Sequence, residues 1–261
     1  MGVMKIPPGF VKFEAQIAGA KFCGLLRKGF AGEVTECCRR IDEKPDVVCK
    51  DRAKIRAVLV GGFFVKRYNL PGWWNQCRRP LRGGRPEQVL LVTERLLSHG
   101  VPAIPVTAAL SEKGAFGIRD YLITETFPAG MCELDKILPL SGSADGGWQQ
   151  LLTGILPAVV QWHRAGVEQG DLNLRNICST SDFLQVCPID LDGGIIHRRG
   201  LPGSAVIREL GRLASAFFLA YREIPLETLA GDICRSYHDL TGTLCDCRLV
   251  LKRMKYLLGE R

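Results

Sequence analysis

The sequence predicts an α+β protein in which a strand-rich N-terminal half precedes a helix-rich C-terminal half, and three observations carry that expectation. Val47 to Cys49, Lys54 to Val60 and Phe63 to Tyr68 are short runs rich in β-branched and aromatic residues, separated by turn-forming residues. Trp148 to His163 is a nearly uncharged apolar segment of helix length. Ala205 to Tyr221, Leu226 to Leu240 and Cys247 to Leu258 follow as three further helical segments.

Taken in order, residues 1–45 are mixed in character, with Pro7-Pro8-Gly9 and Gly29 to Gly32 as breaks, and they read as an N-terminal extension of uncertain structure. Residues 46–127 read as an N-lobe, an antiparallel sheet with one main helix. That helix runs from Pro86 to His99 and stops at Gly100, where a glycine accepts the left-handed conformation that ends helices. Ala103 to Leu110 and Arg119 to Glu125 complete the strands, and Phe127-Pro128-Ala129-Gly130 forms a hinge-like break. Residues 128–261 read as a mostly helical C-lobe that opens with a short helix over Glu133 to Leu138.

A chain of 261 residues, 46% hydrophobic, can bury a substantial core as one bilobal unit. The net charge of +8 favours anionic partners: a nucleotide, a phosphorylated glycolipid, a membrane surface or a nucleic acid. Charge alone does not choose among them, but no nucleic-acid recognition module is present, so none is expected as partner. The eleven cysteines form no metal or disulfide pattern, since Cys37 and Cys38 are adjacent, Cys245-Asp246-Cys247 is too tight and no C-x-x-C occurs. Free thiols in a reducing cytosol are the expectation. Lys5, Lys12, Glu14 and Lys21 interrupt any apolar signal or membrane-spanning run near the N-terminus.

The chemistry concentrates in His163-Arg-Ala-Gly-Val-Glu-Gln-Gly170-Asp171-Leu-Asn-Leu-Arg175-Asn176 and in Ile189-Asp190-Leu191-Asp192. Asp171 and Asn176 stand five apart, the interval of a phosphotransfer catalytic loop, and Asp190 follows two short strand-like runs where a metal-binding aspartate belongs. Such a reaction asks the protein for one carboxylate to orient the acceptor hydroxyl, here Asp171, and for oxygen ligands to Mg²⁺, here Asn176 and Asp190. Turn punctuation is the competing explanation for these residues, and the order of helix, loop, hairpin and aspartate outweighs it.

With these motifs the chain resembles the lipopolysaccharide kinase family, protein-kinase-like enzymes that phosphorylate heptose or Kdo sugars of the lipopolysaccharide core. Phe64-Val65-Lys66-Arg67-Tyr68 resembles that family's nucleotide-lysine strand, Tyr121 to Glu125 its strand into the hinge, and Arg208 to Leu213 the helix after the metal loop. The resemblance runs from about Cys49 to Phe217. It implies a protein-kinase-like bilobal fold, ATP and Mg²⁺ as cofactors, a glycolipid acceptor, and a cytoplasmic location with peripheral contact at the inner membrane. A Ser/Thr protein kinase, a small-molecule phosphotransferase and a silent pseudokinase scaffold are the alternatives.

The remaining site residues are weighed individually. Lys66 would pair the nucleotide phosphates, unless it is an idle edge-strand lysine. Glu87, or alternatively Glu94 two turns on, would partner it. Glu125 and Phe127 would meet the nucleotide at the hinge. Arg175 would neutralise transferred phosphate or salt-bridge a structural carboxylate, and His163 would support the loop from a helix end. No G-x-G-x-x-G precedes Lys66, and Lys50-Asp51-Arg52-Ala53-Lys54 stands there instead. Too few residues separate Asp190 from the next helix for a long activation segment. Gly193 replaces a basic residue expected from the resemblance, which leaves the acceptor open. Arg78, Arg79, Arg82 and Arg85 beside Trp73-Trp74 suit an anionic membrane surface or glycan, against the ordinary solvated face.

Overall fold

The computed structural model describes residues 6–69, 84–114, 117–137 and 147–259. The fold is α+β, strand-rich before helix-rich as expected, but residues 10–43 add a hairpin and a second helix ahead of the first expected strand. The chain divides into two compact units, one of residues up to Glu94 with Ile104–Thr126, the other of Arg95–Ala103 with Phe127–Arg261.

The first unit is built on a seven-stranded antiparallel sheet in the order β1-β2-β6-β7-β5-β4-β3. Its strands are β1 (Phe10–Ile17), β2 (Ala20–Arg27), β3 (Val47–Arg52), β4 (Ile55–Val60), β5 (Phe63–Asn69), β6 (Val106–Gly114) and β7 (Gly117–Glu125). Residues that the sequence left unassigned thus form a hairpin, β1 and β2, that continues the sheet beyond β6. Their signal was weak because alternation with Lys12, Glu14, Gln16 and Lys21 leaves little apolar density to read. Gly24 is required there: a side chain would overlap the Ala109 carbonyl of β6. Strand β6 starts at Val106 rather than at Ala103, since Pro105 has no N–H to give a ladder and instead accepts from Glu125 N at 3.1 Å.

Helix α1 (Ala31–Glu43) repeats Val34, Cys37, Cys38 and Ile41 at helical spacing, which lays one apolar stripe on the sheet. The stripe packs with Phe22, Leu26, Val58, Val60, Val65, Leu110, Tyr121 and Ile123, each fully or almost fully buried. Burying side chains of this size stabilises the unit by about 1.5–3 kcal/mol apiece before conformational entropy is charged. Arg67 on β5 ties to Asp42 at the end of α1, so the odd-numbered residues of β5 face α1 and Lys66 points to the opposite face. Helix α2 (Arg85–Ser98) begins there, with the Arg85 guanidinium 5.8 Å from the Tyr68 ring centre.

In the second unit, β8 (Cys132–Glu133) leads into a single helical turn, α3 (Leu134–Ile137), followed by α4 (Gly147–Arg164). Short strands β9 (Val167–Glu168), β10 (Ile177–Ser179), β11 (Val186–Pro188) and β12 (Ile195–Ile196) carry the loops, and α5 (Gly203–Ala220), α6 (Leu226–Thr241) and α7 (Cys247–Leu258) complete it. Helix α4 buries Leu151, Leu152, Ile155, Leu156, Val159 and Val160, the apolar density that predicted it. Helix α5 packs against α6 and α7. No helix among the described residues is long and apolar enough to cross a membrane.

Candidate active site

The catalytic-loop motif lies between two strand pairings that fix its ends. Strand β9 pairs with β12, Glu168 opposite Ile195, and β10 pairs with β11, Ile177 opposite Pro188. The residues between them, 169–176 and 189–194, therefore form adjacent loops. Where the loops cross, Gly170 has φ +90° and any side chain on it would overlap the Gly193 carbonyl. Only glycine meets both demands. The small residue at 193, read from sequence as a departure, sits at this crossing.

Asp171 is exposed, and the loop holds it in place from behind. Asn173 caps a short 3₁₀ turn, accepting from Arg175 N at 3.0 Å and donating Nδ2 to Asp171 O at 3.0 Å. Asn176 donates Nδ2 to Asp171 O at 2.9 Å and to Asp171 Oδ2 at 3.1 Å. That geometry spends the amide nitrogen of Asn176 on Asp171, and the other end of the amide is an oxygen, which can only accept or coordinate. Asp190 is exposed in the left-handed region, φ 51° and ψ 54°, a conformation that aspartate tolerates better than most residues and that clusters at functional sites. A Mg²⁺ held by one Asp and one Asn alongside phosphate oxygens matches this donor set. Clusters of three or more His, Cys, Asp or Glu side chains able to bind metal by themselves are absent among the described residues.

Three groups behind the loop were not singled out from the sequence. Gln169, 1% exposed, accepts from Asp171 N at 2.7 Å and donates Nε2 to Ile189 O at 3.0 Å, so one side chain latches the Asp171 loop to the residue preceding Asp190. Glu209 of α5, fully buried, accepts from Gln169 N at 2.8 Å and Gly170 N at 3.1 Å. Burial pushes its carboxyl up to about 7, against the opposing pull of those two N–H groups, with Glu168 adding to the rise and Arg212 countering it. Glu168, 2% exposed, is gripped by Arg208 through Nε and Nη2, both at 2.9 Å, and by His197 Nε2 at 2.9 Å. A signal for Glu209 was available: it lies on the apolar stripe of α5 with Ala205, Leu213 and Phe217, where a carboxylate needs a polar reason.

The other expected site residues occupy varied settings. Lys66 lies on β5, an interior strand, between Ala57 and Leu122, and is 9% exposed with its Nζ 5.2 Å from the Tyr68 ring centre, which removes the edge-strand explanation. Glu94 is committed to Arg27 of β2 at 3.2 Å, and Arg27 is anchored by Val106 O at 3.0 Å. The Glu87 carboxylate folds back over Gly84, where a side chain would collide with it. Glu125 ends β7, and Phe127 is 41% exposed in the segment beyond. Arg175 is exposed and 3.7 Å from Asp135, the salt-bridge alternative. His163 is buried, its Nδ1 3.0 Å from Tyr237 OH on α6, and burial lowers its pKa to about 3, so it is neutral and makes no hydrogen bond to Asp171. In the Lys50 to Lys54 segment, Lys50–Arg52 end β3 and Ala53-Lys54 form the two-residue turn into β4. Of the arginine stretch only Arg85 falls within the described residues; Trp73, Trp74, Arg78, Arg79 and Arg82 lie outside them. Ten of the eleven cysteines are described and all ten are reduced, outside any disulfide.

No protein-family model matches the chain. No curated protein matches it either. Among solved structures, the chain is similar to WaaP in complex with acyl carrier protein, at 18% identity over 75% of this chain and 88% of that one, with a TM-score of 0.49. It is similar to WbdD, a bifunctional kinase-methyltransferase, at 15% identity over 80% of this chain with a TM-score of 0.43, and spans 43% of the WbdD chain. It is also similar to the PknI kinase domain of Mycobacterium tuberculosis, at 14% identity over 82% of this chain and 95% of that one, with a TM-score of 0.45.

Proposed function

We propose that the protein is an ATP-dependent, Mg²⁺-requiring phosphotransferase that phosphorylates a sugar hydroxyl, heptose or Kdo, of lipopolysaccharide core or a related glycolipid. The observation that carries the phosphotransfer reading is the latched pair of loops: Asn176 holds Asp171, and Gln169 joins the Asp171 loop to the strand end bearing Asp190. Phosphoryl transfer is catalysed mainly by positioning and charge stabilisation, and this arrangement supplies positioning.

In this reading Asp171 accepts a hydrogen bond from the acceptor hydroxyl and orients it for in-line attack. Asn176 and Asp190 hold Mg²⁺, which neutralises charge on the phosphates. Lys66 binds phosphate oxygens as a point charge, with Glu87 as its carboxylate partner since Glu94 belongs to Arg27. Glu125 and Phe127 contribute to nucleotide binding. Arg175, 82% exposed at its side chain and 3.7 Å from Asp135, would exchange that carboxylate for an incoming anionic acceptor. The glycolipid acceptor rests on the motif resemblance and on the short segment between Asp190 and α5, which leaves no long platform for docking a protein. Cytoplasmic location with peripheral membrane contact follows from the same acceptor.

The test is incubation of the purified protein with labelled ATP and Mg²⁺ against delipidated core oligosaccharide, intact lipopolysaccharide and a generic protein substrate. Label in the oligosaccharide or lipopolysaccharide is the expected result. Label in protein alone would favour a protein kinase, and ATP binding without turnover on any acceptor a pseudokinase.

A further inference from the structure

Helix α7 has more apolar surface than the fold uses. Leu249, Val250, Leu251, Met254, Tyr256, Leu257 and Leu258 are all apolar or aromatic, yet only Val250 and Met254 are buried. Leu249 is 45% and Tyr256 72% exposed, and Leu244, just before the helix, is 86% exposed. At 100° per residue Lys252, Tyr256, Leu249 and Arg253 follow one another round the helix, the first three exposed and Arg253 half-buried, so two large apolar side chains are flanked by cations. The helix carries Arg248, Lys252, Arg253 and Lys255 and no carboxylate between Cys247 and Leu258.

Two of those cations are already engaged. Arg253 stacks on Tyr256, its guanidinium 5.1 Å from the ring centre, and Lys255 reaches Glu227 at 3.6 Å. Arg248 and Lys252 make no ion pair among the described residues. An exposed apolar pair flanked by uncompensated positive charge is the composition of helices that lie in a lipid interface, where leucine and an amphipathic ring reach the headgroup level and Lys and Arg meet lipid phosphates. In water Leu249 stays exposed and Tyr256 gains only its stacking with Arg253, whereas an anionic bilayer complements both parts of the face.

We propose that α7, with Leu244, is a membrane-docking helix that seats the protein on an anionic lipid surface, Leu249 and Tyr256 entering it and Arg248 and Lys252 binding its phosphates. The assignment goes beyond the proposed reaction and does not depend on it. It adds a second candidate for membrane contact to the arginine stretch around Arg78.

The experiment is co-sedimentation of the whole protein with phosphatidylcholine vesicles prepared with and without phosphatidylglycerol. Wild type should pellet only with the anionic vesicles and release as salt shortens the Debye length. Each interfacial cation contributes about fivefold, so R248Q/K252Q should weaken partition by about 25-fold. L249S/Y256S should weaken it by at least about tenfold. All four residues are exposed, so both variants should melt with wild type, and their activity on a soluble acceptor should be unchanged. D171N should pellet like wild type, which separates this test from that of the proposed reaction. Failure of wild type to pellet with anionic vesicles, or double variants that pellet as wild type does, overturns the proposal. Retention on an immobilised acidic polypeptide without vesicle binding, lost in R248Q/K252Q, overturns it in favour of a protein-docking face.

Discussion

Replacing Gln169 by leucine tests whether one buried amide latches the two loops of the candidate site. Leucine matches the shape of glutamine to a first approximation and removes only the hydrogen-bonding end. Two backbone groups then lose their partners, Asp171 N–H and Ile189 C=O, in a position that is 1% exposed in wild type. An orphaned buried polar group costs about 1–3 kcal/mol, so the pair costs about 2–6 kcal/mol. A buried leucine returns about 1–2 kcal/mol relative to the amide, which leaves a net loss centred on about 2.5 kcal/mol. Urea unfolding should show a lower midpoint at an unchanged m-value, the signature of lost stability with the same exposed surface. If phosphotransfer is measurable, kcat should fall about tenfold or more in Gln169→Leu, because Asp171 and the Asp190 segment are no longer held in register. Stability within about 0.5 kcal/mol of wild type would refute the argument, since that is the range of surface substitutions that touch nothing.

Glu209 gives a pH prediction. Its folded pKa of about 7 lies above the ordinary 4.5, so its contribution is fully present below the ordinary value and is lost as pH rises through 7. The shift corresponds to about 3 kcal/mol, and Glu209→Gln should flatten the decline in denaturant-derived stability across that window. Gly170→Ala meets a positive φ and the Gly193 carbonyl together and should destabilise by about 2 kcal/mol or more, read as a lowered Tm. Asp171→Asn, at an exposed side chain, should leave stability near wild type while lowering kcat roughly 10²-fold, and turnover within threefold of wild type would reject Asp171 as the acceptor-orienting carboxylate.

By itself the sequence determined the long strands and helices from Val47 onward and marked Asp171, Asn176 and Asp190 as the candidate site residues. Both are local properties. Strands β4 and β5, helix α2 and the four long helices follow from periodicity and punctuation, and Asp171, Asn176 and Asp190 stand out because a loop that presents polar groups keeps their spacing in one short stretch. Tertiary structure alone decided what holds those groups in place. Glu209 is forty residues from Gln169 in the chain yet accepts its N–H, and the link from Gln169 to Ile189 exists only because β9 pairs with β12 and brings the two loops together. The choice between Glu87 and Glu94 was equally beyond periodicity, since both lie on nearly one helix face. Only the fold shows that Glu94 pairs with Arg27, which comes from a hairpin whose polar alternation hid it. Spacing along a chain reports which residues share a face. Burial and partners depend on what packs there from distant segments, and so are fixed only when the chain folds.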